Sequence, residues 1–285
     1  MIAPGWRAPD LGDAGVLAPG RLRRSRALGW MLLLTVAVGL VTIIPEIVRN
    51  DLPEDGGLLP VVAVALAYLL YYVAVRFGER RAPTEIALRP LIGDLGLGVA
   101  IGLAMFTAVI ASLRLLGAYT LAPGEWTDWL ADAMRDAITG LEEELILRLI
   151  VFRLLMRAMG VWPALALSAA LFGAAHLANP NAGAVAAVAI AVEAGLMLAA
   201  FYLLTGRIWT SVGVHAAWNF AQGPIFGARV SGFVEHGSLF VSAPAPGAPA
   251  WLNGGAFGPE ASAPAMLIGL AVFAAAMREA YRRGA

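Results

Sequence analysis

Long apolar runs alternate with short polar connections along most of this chain. A helix needs about twenty residues to cross the hydrocarbon core of a bilayer. Runs of nearly this length without Asp, Glu, Lys or Arg occupy residues 27–44, 58–75, 95–113, 158–175, 208–226 and 263–277. Two further apolar segments, 131–156 and 183–205, are interrupted by charges. The pattern predicts an all-α polytopic membrane protein with about eight transmembrane helices.

Composition agrees with this class. The chain of 285 residues is 60% hydrophobic and 14% charged, whereas a soluble domain carries roughly a quarter charged residues. Twenty basic and twenty acidic residues cancel, which argues against a nucleic-acid partner. The absence of cysteine excludes disulfides, thiolate metal sites and a cysteine nucleophile. Catalysis would therefore use carboxylate, imidazole, hydroxyl or water.

Arginine counts predict the orientation, because cytoplasmic loops retain positive charge. All bases are arginine, and the outer loops proper contain only Arg49 and Arg229. Both termini are therefore predicted to be cytoplasmic. The lysine-free, Ala- and Arg-rich usage is typical of a GC-rich bacterial genome, so we expect a bacterial inner membrane. We divide the chain into a basic segment (1–26), three transmembrane helices (27–129) and a five-helix core (130–281). An ordered or partly ordered outer loop is predicted at 227–262.

Charges inside two predicted helices mark candidate functional positions. Glu142, Glu143, Glu144 and Arg148 lie in 131–156, and Glu193 lies in 183–205. An embedded charge costs roughly 2.5–3.5 kcal/mol on insertion scales, so these groups must be paired, hydrated or protonated. Glu144 and Arg148 share a helix face, which leaves Glu143 to face a cavity. A structural ion pair between helices is the alternative. Because Glu142 makes a run of three glutamates, the sequence leaves open, by an offset of one residue, which glutamate faces the cavity.

Imidazole and amide groups lie in two other predicted helices. Phe172 and His176 are one helical turn apart, as are His215 and Asn219, so each pair shares a face. Carboxylate and imidazole together activate water, and two convergent donors stabilise the charge on an attacked carbonyl. Simple inter-helix hydrogen bonding is the alternative. Ser211 precedes His215 by one turn, but no GxSxG motif supports a serine nucleophile.

A metal site has weaker support in the sequence. His176, His215 and a glutamate are metal-binding residue types, but they are scattered and the chain has no HExxH motif. We therefore predict no cofactor, and dependence on a divalent metal stays open.

Three short motifs, in this order on successive predicted helices, resemble those of the CAAX prenyl protease and bacteriocin-processing (CPBP) family of intramembrane endopeptidases. They are Glu143-Glu144-x-x-x-Arg148, Phe172-x-x-x-His176 and His215-x-x-x-Asn219. The segments WTSVGVH (209–215) and GGAFGPE (254–260) also look like bacterial members. The resemblance covers roughly residues 130–260, and the first three helices match only in hydropathy.

The resemblance implies an eight-helix fold with a membrane-embedded polar cavity, and cleavage of a membrane-associated peptide or protein by activated water. By this resemblance, Glu143 is the general base and His176 helps to position the water. His215 and Asn219 form the oxyanion site, and Glu144 with Arg148 is the supporting ion pair.

Two other functions remain possible from the sequence. A catalytically inactive membrane adaptor or chaperone would keep the same fold to hold client proteins. An ion-coupled transporter would use Glu143, Glu193 and the histidines as a proton relay. The chain shows no internal repeat, which counts against a transporter. The predicted partners are a peptide or membrane-protein substrate and the lipid bilayer.

Overall fold

The computed structural model describes residues 8–48, 58–234 and 237–283, and this part of the chain is mainly helical. The α-helices, in chain order, are α1 Arg23–Thr42, α2 Ile44–Val48, α3 Leu59–Val73, α4 Leu91–Leu115, α5 Trp129–Glu144, α6 Arg153–Met159, α7 Val161–Ala175, α8 Ala184–Ile190, α9 Met197–Thr205, α10 Trp209–Phe220, α11 Ala250–Asn253 and α12 Ala263–Arg282.

Within these described ranges, six helical segments are long and apolar enough to cross a membrane. They are Arg23–Thr42, Leu59–Gly78, Leu91–Leu115, Val161–Ala178, Ala184–Thr205 and Ala263–Arg282. The predicted all-α polytopic class is therefore confirmed, and the chain is an integral membrane protein. Helix α1 begins earlier than the predicted residue 27. Of the arginines used to predict orientation, Arg7 and Arg49 lie outside the described residues.

The two other segments predicted to span the membrane are also helical. Helix α5 continues through a π-helical stretch, Leu145–Phe152, into α6. Helix α10 continues into the π-helical turn Ala221–Ile225, and α8 and α9 are joined by a third π-helical stretch, Ala191–Leu196. Such π-bulges are frequent at functional sites. Each of these three stretches contains, or begins within two residues of, a polar residue singled out in the sequence, whereas a fourth, Ala74–Gly78, does not.

Glycines bring α4 and α10 into close contact. A Cβ atom on Gly98 would lie 2.4 Å from the carbonyl oxygen of Thr210, and one on Gly102 would lie 2.4 Å from that of Val214. On α10, a Cβ atom on Gly213 would lie 2.5 Å from the carbonyl oxygen of Leu95. Small residues let membrane helices approach closely. This contact fixes the position of α10, which carries the histidine and amide motif.

A buried ion network lies where the chain leaves α3. Arg153 donates to both carboxylate oxygens of Glu79, at 2.7 and 2.9 Å, and Arg81 donates to Glu79 at 2.8 Å and to Glu85 at 2.6 Å. Burial alone would raise the pKa of Glu79, but the attraction of Arg153 and Arg81 outweighs it and holds that pKa below its usual value. The network ties α3 to α6.

Two short strands form the described β-structure. Strand β1 (Tyr119–Pro123) pairs antiparallel with β2 (Phe240–Pro244), with Tyr119 opposite Pro244. Strand β2 lies in the predicted outer loop, which also contains α11 and the 3₁₀ turn Pro259–Ala261. Residues 235–236 of this loop lie outside the described residues. The strands were not expected from the sequence.

Candidate active site

Glu144 and Arg148 form a buried ion pair where α5 passes into its π-helical continuation. The Nε atom of Arg148 lies 3.1 Å from Oε2 of Glu144, and the two side chains are 2% and 0% exposed. Arg148 also donates to the carbonyl oxygen of Ala194 at 3.1 Å, and its guanidinium lies 4.7 Å from the ring centre of Phe172. The pair expected from the sequence is thus formed, and Arg148 links this helix to α7 and to the stretch 191–196.

His215 lies between two glutamates. Its Nδ1 atom is 3.0 Å from Oε1 of Glu144, and its Nε2 atom is 3.8 Å from Oε2 of Glu143. Because the oxygens of a carboxylate accept hydrogen bonds, Nδ1 carries the proton of this hydrogen bond. The second ring nitrogen is left to interact with Glu143, whose side chain is 34% exposed.

His176 is held by the backbone of its own motif. Its Nδ1 atom lies 2.9 Å from the carbonyl oxygen of Phe172, and the two rings meet edge to face with centres 4.8 Å apart. Since a carbonyl oxygen only accepts hydrogen bonds, Nδ1 is the protonated nitrogen. The Nε2 atom is therefore the nitrogen available to a ligand.

Two cavities meet at these side chains. The first, here called the open cleft, has a volume of about 440 Å³ and is lined by Arg135, Asp136, Thr139, Glu143, His176, Asn179, His215, Asn219, Val230, Ser231, Phe233 and Val234. The second, here called the inner cavity, is a small space of about 20 Å³ that shares His176, His215, Asn219 and Ser231 with the cleft. The structure therefore brings Glu143 and both motif histidines to one cleft with Asn219.

The open cleft also distinguishes among the three consecutive glutamates. Glu143 lines it, Glu144 lies behind His215, and Glu142 is not among its lining residues. Glu143 is therefore the one of the three consecutive glutamates that lines this cleft.

Comparison with known proteins gives one match. Residues 125–221 match the family model described as type II CAAX prenyl endopeptidase Rce1-like. This part of the chain is similar to the Rce1-like family. The match covers about a third of the chain and includes all three motifs. No curated protein and no solved structure matches the chain.

The predicted resemblance to CAAX proteases is therefore confirmed for the part of the chain that carries the motifs. The Rce1-like family is one of membrane proteases, hydrolases that act on peptide or protein substrates in membranes. The GGAFGPE segment (254–260) lies beyond the matched residues.

Two buried carboxylates near this region belong to none of the three motifs. Glu193 and Glu260 both line the inner cavity and are 1% and 3% exposed. Oε2 of Glu260 accepts hydrogen bonds from the backbone N–H of Ser231, at 2.7 Å, and from its hydroxyl, at 3.2 Å. Glu260 is the only charged residue between 237 and 277. This isolated charge was the signal by which the sequence could have identified Glu260 as a candidate residue.

Two alternatives from the sequence can be compared with the geometry. The hydroxyl of Ser211 is buried and donates to the carbonyl oxygen of Leu198 at 3.0 Å, which gives it a structural partner. Among the described residues, no group of three or more His, Asp or Glu side chains is arranged to hold a metal ion.

Proposed function

We propose that this protein is an intramembrane endopeptidase that hydrolyses a peptide bond in a membrane-associated peptide or protein. The Rce1-like match supports proteolysis in general. The mechanism proposed here rests on one observation: His215 lies between Glu144 and Glu143 at the wall of the open cleft.

In this mechanism, Glu143 is the general base. It is the partly exposed carboxylate of the cluster and lines the cleft where a water molecule and a peptide would meet. His176 lines the same cleft, and its available Nε2 atom helps to orient that water. A base within hydrogen-bond reach of the attacking water typically contributes about 10²–10⁴-fold to the rate.

His215 and Asn219 stabilise the negative charge that develops on the attacked carbonyl oxygen. In a doubly protonated imidazole both ring nitrogens donate, so Nε2 of His215 is then a donor on the side of Glu143. Glu144, held by Arg148, fixes the ring through Nδ1. Asn219 lines the cleft one helical turn later and supplies the second donor. Donors fixed before the reaction lower the barrier because they need no reorganisation during it.

Peptides in the membranes of cells that carry the wild-type protein or a Glu143→Ala variant test this proposal. We expect at least one membrane peptide to be shortened in the wild-type cells and to stay intact in the variant cells. Glu142→Ala is the matched control, because it removes the same charge one residue away from the cleft-lining position. Identical peptide profiles for the wild type and Glu143→Ala would contradict the proposal.

A further inference from the structure

The open cleft lies at one end of the helical bundle, here called the cleft end. Helix α12 begins there, because Glu260, just before this helix, accepts a hydrogen bond from Ser231 of the cleft wall. Helix α7 ends there, at His176 and the cleft-lining Asn179. The loop that carries Ser231 also carries β2, and the strand pairing places β1 at the same end.

Both ends of the described chain lie at the opposite end of the bundle, here called the terminal end. Tyr281, near the end of α12, stacks on Trp162 at the start of α7, with ring centres 6.1 Å apart. The carbonyl oxygen of Leu17 accepts a hydrogen bond at 2.9 Å from Arg157, near the end of α6. At about 1.5 Å for each residue, α7 rises by about 21 Å from Trp162 to His176. The length of this helix therefore separates the chain ends from the cleft.

Arginines are concentrated at the terminal end. The chain segments there contain Arg21, Arg23, Arg24, Arg26, Arg76, Arg80, Arg81, Arg89, Arg153, Arg157, Arg207, Arg278, Arg282 and Arg283. In the described ranges, the segments at the cleft end contain only Arg114, Arg135 and Arg229. Cytoplasmic segments of membrane proteins retain positive charge, and this bias sets their orientation. The distribution therefore predicts that the terminal end is cytoplasmic and that the cleft end faces outwards.

Polar side chains on one face of α5 lead from the cleft end to Glu143. Asp136, Thr139 and Glu143 follow one another at spacings of three and four residues, so they share a helix face, and all three line the cleft. Asp132 continues this face by one turn towards the cleft end. Beyond Glu143, the stretch Leu145–Phe152 is mainly apolar, and most of its side chains are buried. Water and a peptide can therefore reach Glu143 along a polar surface from the cleft end.

A larger cavity opens nearer the terminal end but does not reach the site. It has a volume of about 700 Å³, is lined almost entirely by apolar side chains of α3, α4, α5 and α10, and extends to Leu88 and Trp209. Its lining includes neither Glu143 nor the two motif histidines. Helices α5 and α10 close it off from the cleft, because a Cβ atom on Gly140 would lie 3.3 Å from the backbone nitrogen of Ala216.

We propose that the open cleft faces away from the cytoplasm and receives its substrate from the outer side of the membrane. The substrate is accordingly a peptide segment that has already crossed the membrane. The side of the substrate rests on the proposed peptidase function, whereas the orientation of the cleft does not.

Cysteine labelling tests the orientation without any substrate. The chain contains no cysteine, so a single introduced cysteine is its only thiol. Val234→Cys, at a position that is 57% exposed, reports on the cleft wall. Thr120→Cys, at an exposed position of β1, reports on the cleft end outside the cleft. Ser25→Cys exchanges an exposed hydroxyl for a thiol near the start of α1 and is the matched control at the terminal end.

A maleimide that cannot cross membranes is added to intact spheroplasts and to inverted membrane vesicles of a bacterial expression host. We expect it to label Val234→Cys and Thr120→Cys in spheroplasts only, and Ser25→Cys in inverted vesicles only. Labelling of all three variants in detergent shows that each thiol is reactive.

Labelling of Val234→Cys from the cytoplasmic side, or equally from both sides, would overturn the proposal. Labelling of Thr120→Cys but not of Val234→Cys in spheroplasts would also overturn it, because the cleft would then be closed to the outside.

The membrane peptides that differ between wild-type and Glu143→Ala cells test the side of the substrate. We expect the bonds whose cleavage depends on Glu143 to map to segments on the outer side of the membrane. Bonds that map to cytoplasmic segments would contradict this part of the proposal. If labelling places the cleft on the outer side but no peptide depends on Glu143, the peptidase function fails while the orientation stands.

Discussion

Glu144 is completely buried between the guanidinium of Arg148 and the imidazole of His215. Arg148 supplies the opposite charge, and His215 donates a hydrogen bond from Nδ1 to the other carboxylate oxygen. Glu143, one residue earlier, is partly exposed and has the longer contact with His215. Adjacent residues of the same type therefore differ in function because the helix turns them towards different surroundings.

This difference predicts opposite outcomes for two substitutions. Arg148→Ala should lower the folded yield and the activity together, because it leaves Glu144 as an uncompensated buried charge, a change that costs about 3–5 kcal/mol. Glu143→Gln should keep the thermal stability of the wild type and abolish cleavage. Thermal unfolding in detergent and peptide cleavage by the same preparations measure both effects.

Glu142→Gln is the control for these variants, because it removes a charge from the same turn away from the cleft-lining position. Equal losses of stability in Arg148→Ala and Glu143→Gln would contradict the assignment of a structural and a catalytic carboxylate.

Contacts within one helix were predictable from spacing, whereas contacts between helices were not. The pairing of Glu144 with Arg148 follows from four residues of separation. The contact of His215 with Glu144 joins residues 71 positions apart, and no local pattern encodes it. The same applies to Glu260, whose hydrogen bond with Ser231 joins residues 29 positions apart.

The close approach of α4 and α10 determines the geometry of the site as much as any of its side chains. Gly98 and Gly102 face α10 on successive turns, whereas Gly96, on the same helix, has open space where a Cβ would be. A larger residue at Gly98 would push α10, and with it His215, away from Glu144.

We therefore expect Gly98→Leu to destabilise the protein by about 1–3 kcal/mol or more, the usual cost of overpacking, and to abolish cleavage. Gly96→Leu adds the same side chain towards open space and should behave like the wild type. Thermal unfolding of both variants measures the difference. Similar unfolding temperatures for Gly98→Leu and the wild type would contradict the role assigned to this contact.

The strand pair and the π-helical stretches could not be predicted from the sequence for a physical reason. Strands β1 and β2 have five residues each and end in proline, which is too short for an alternating pattern to be distinguished from a loop. A π-bulge keeps the hydrophobicity of the helix around it. Hydropathy therefore predicted the membrane segments but not the local unwinding within them.

The ion network at the end of α3 predicts an acid-sensitive contribution to stability. The folded-state pKa of Glu79 lies below its usual value, so the pair with Arg153 stabilises the fold at neutral pH. This stabilisation is lost as the pH falls through the folded-state pKa. Glu79→Gln should therefore lower the unfolding temperature at neutral pH and have less effect in acid. An effect that is equal at both pH values would contradict this assignment.

At the scale of the whole molecule, a peptidase and an adaptor differ in whether the cleft performs chemistry or only holds a client protein. An adaptor and a peptidase of this fold would share the membrane helices, the cleft and the ion pairs. They differ in one respect, because only a peptidase has a transition state whose oxyanion needs donors. A measurement that separates binding from rate therefore distinguishes them.

Asn219→Ala makes that measurement possible. Loss of one oxyanion donor typically costs about 2.7–4 kcal/mol, or about 10²–10³-fold in kcat, while peptide binding should be retained. Ser211→Ala is the control, because it removes a polar group from the same helix outside the cleft. Purified variants of equal thermal stability are compared for binding and cleavage. A large loss of rate with unchanged binding supports the peptidase. Binding without cleavage by the wild type, with Asn219→Ala indistinguishable from it, would instead favour the adaptor.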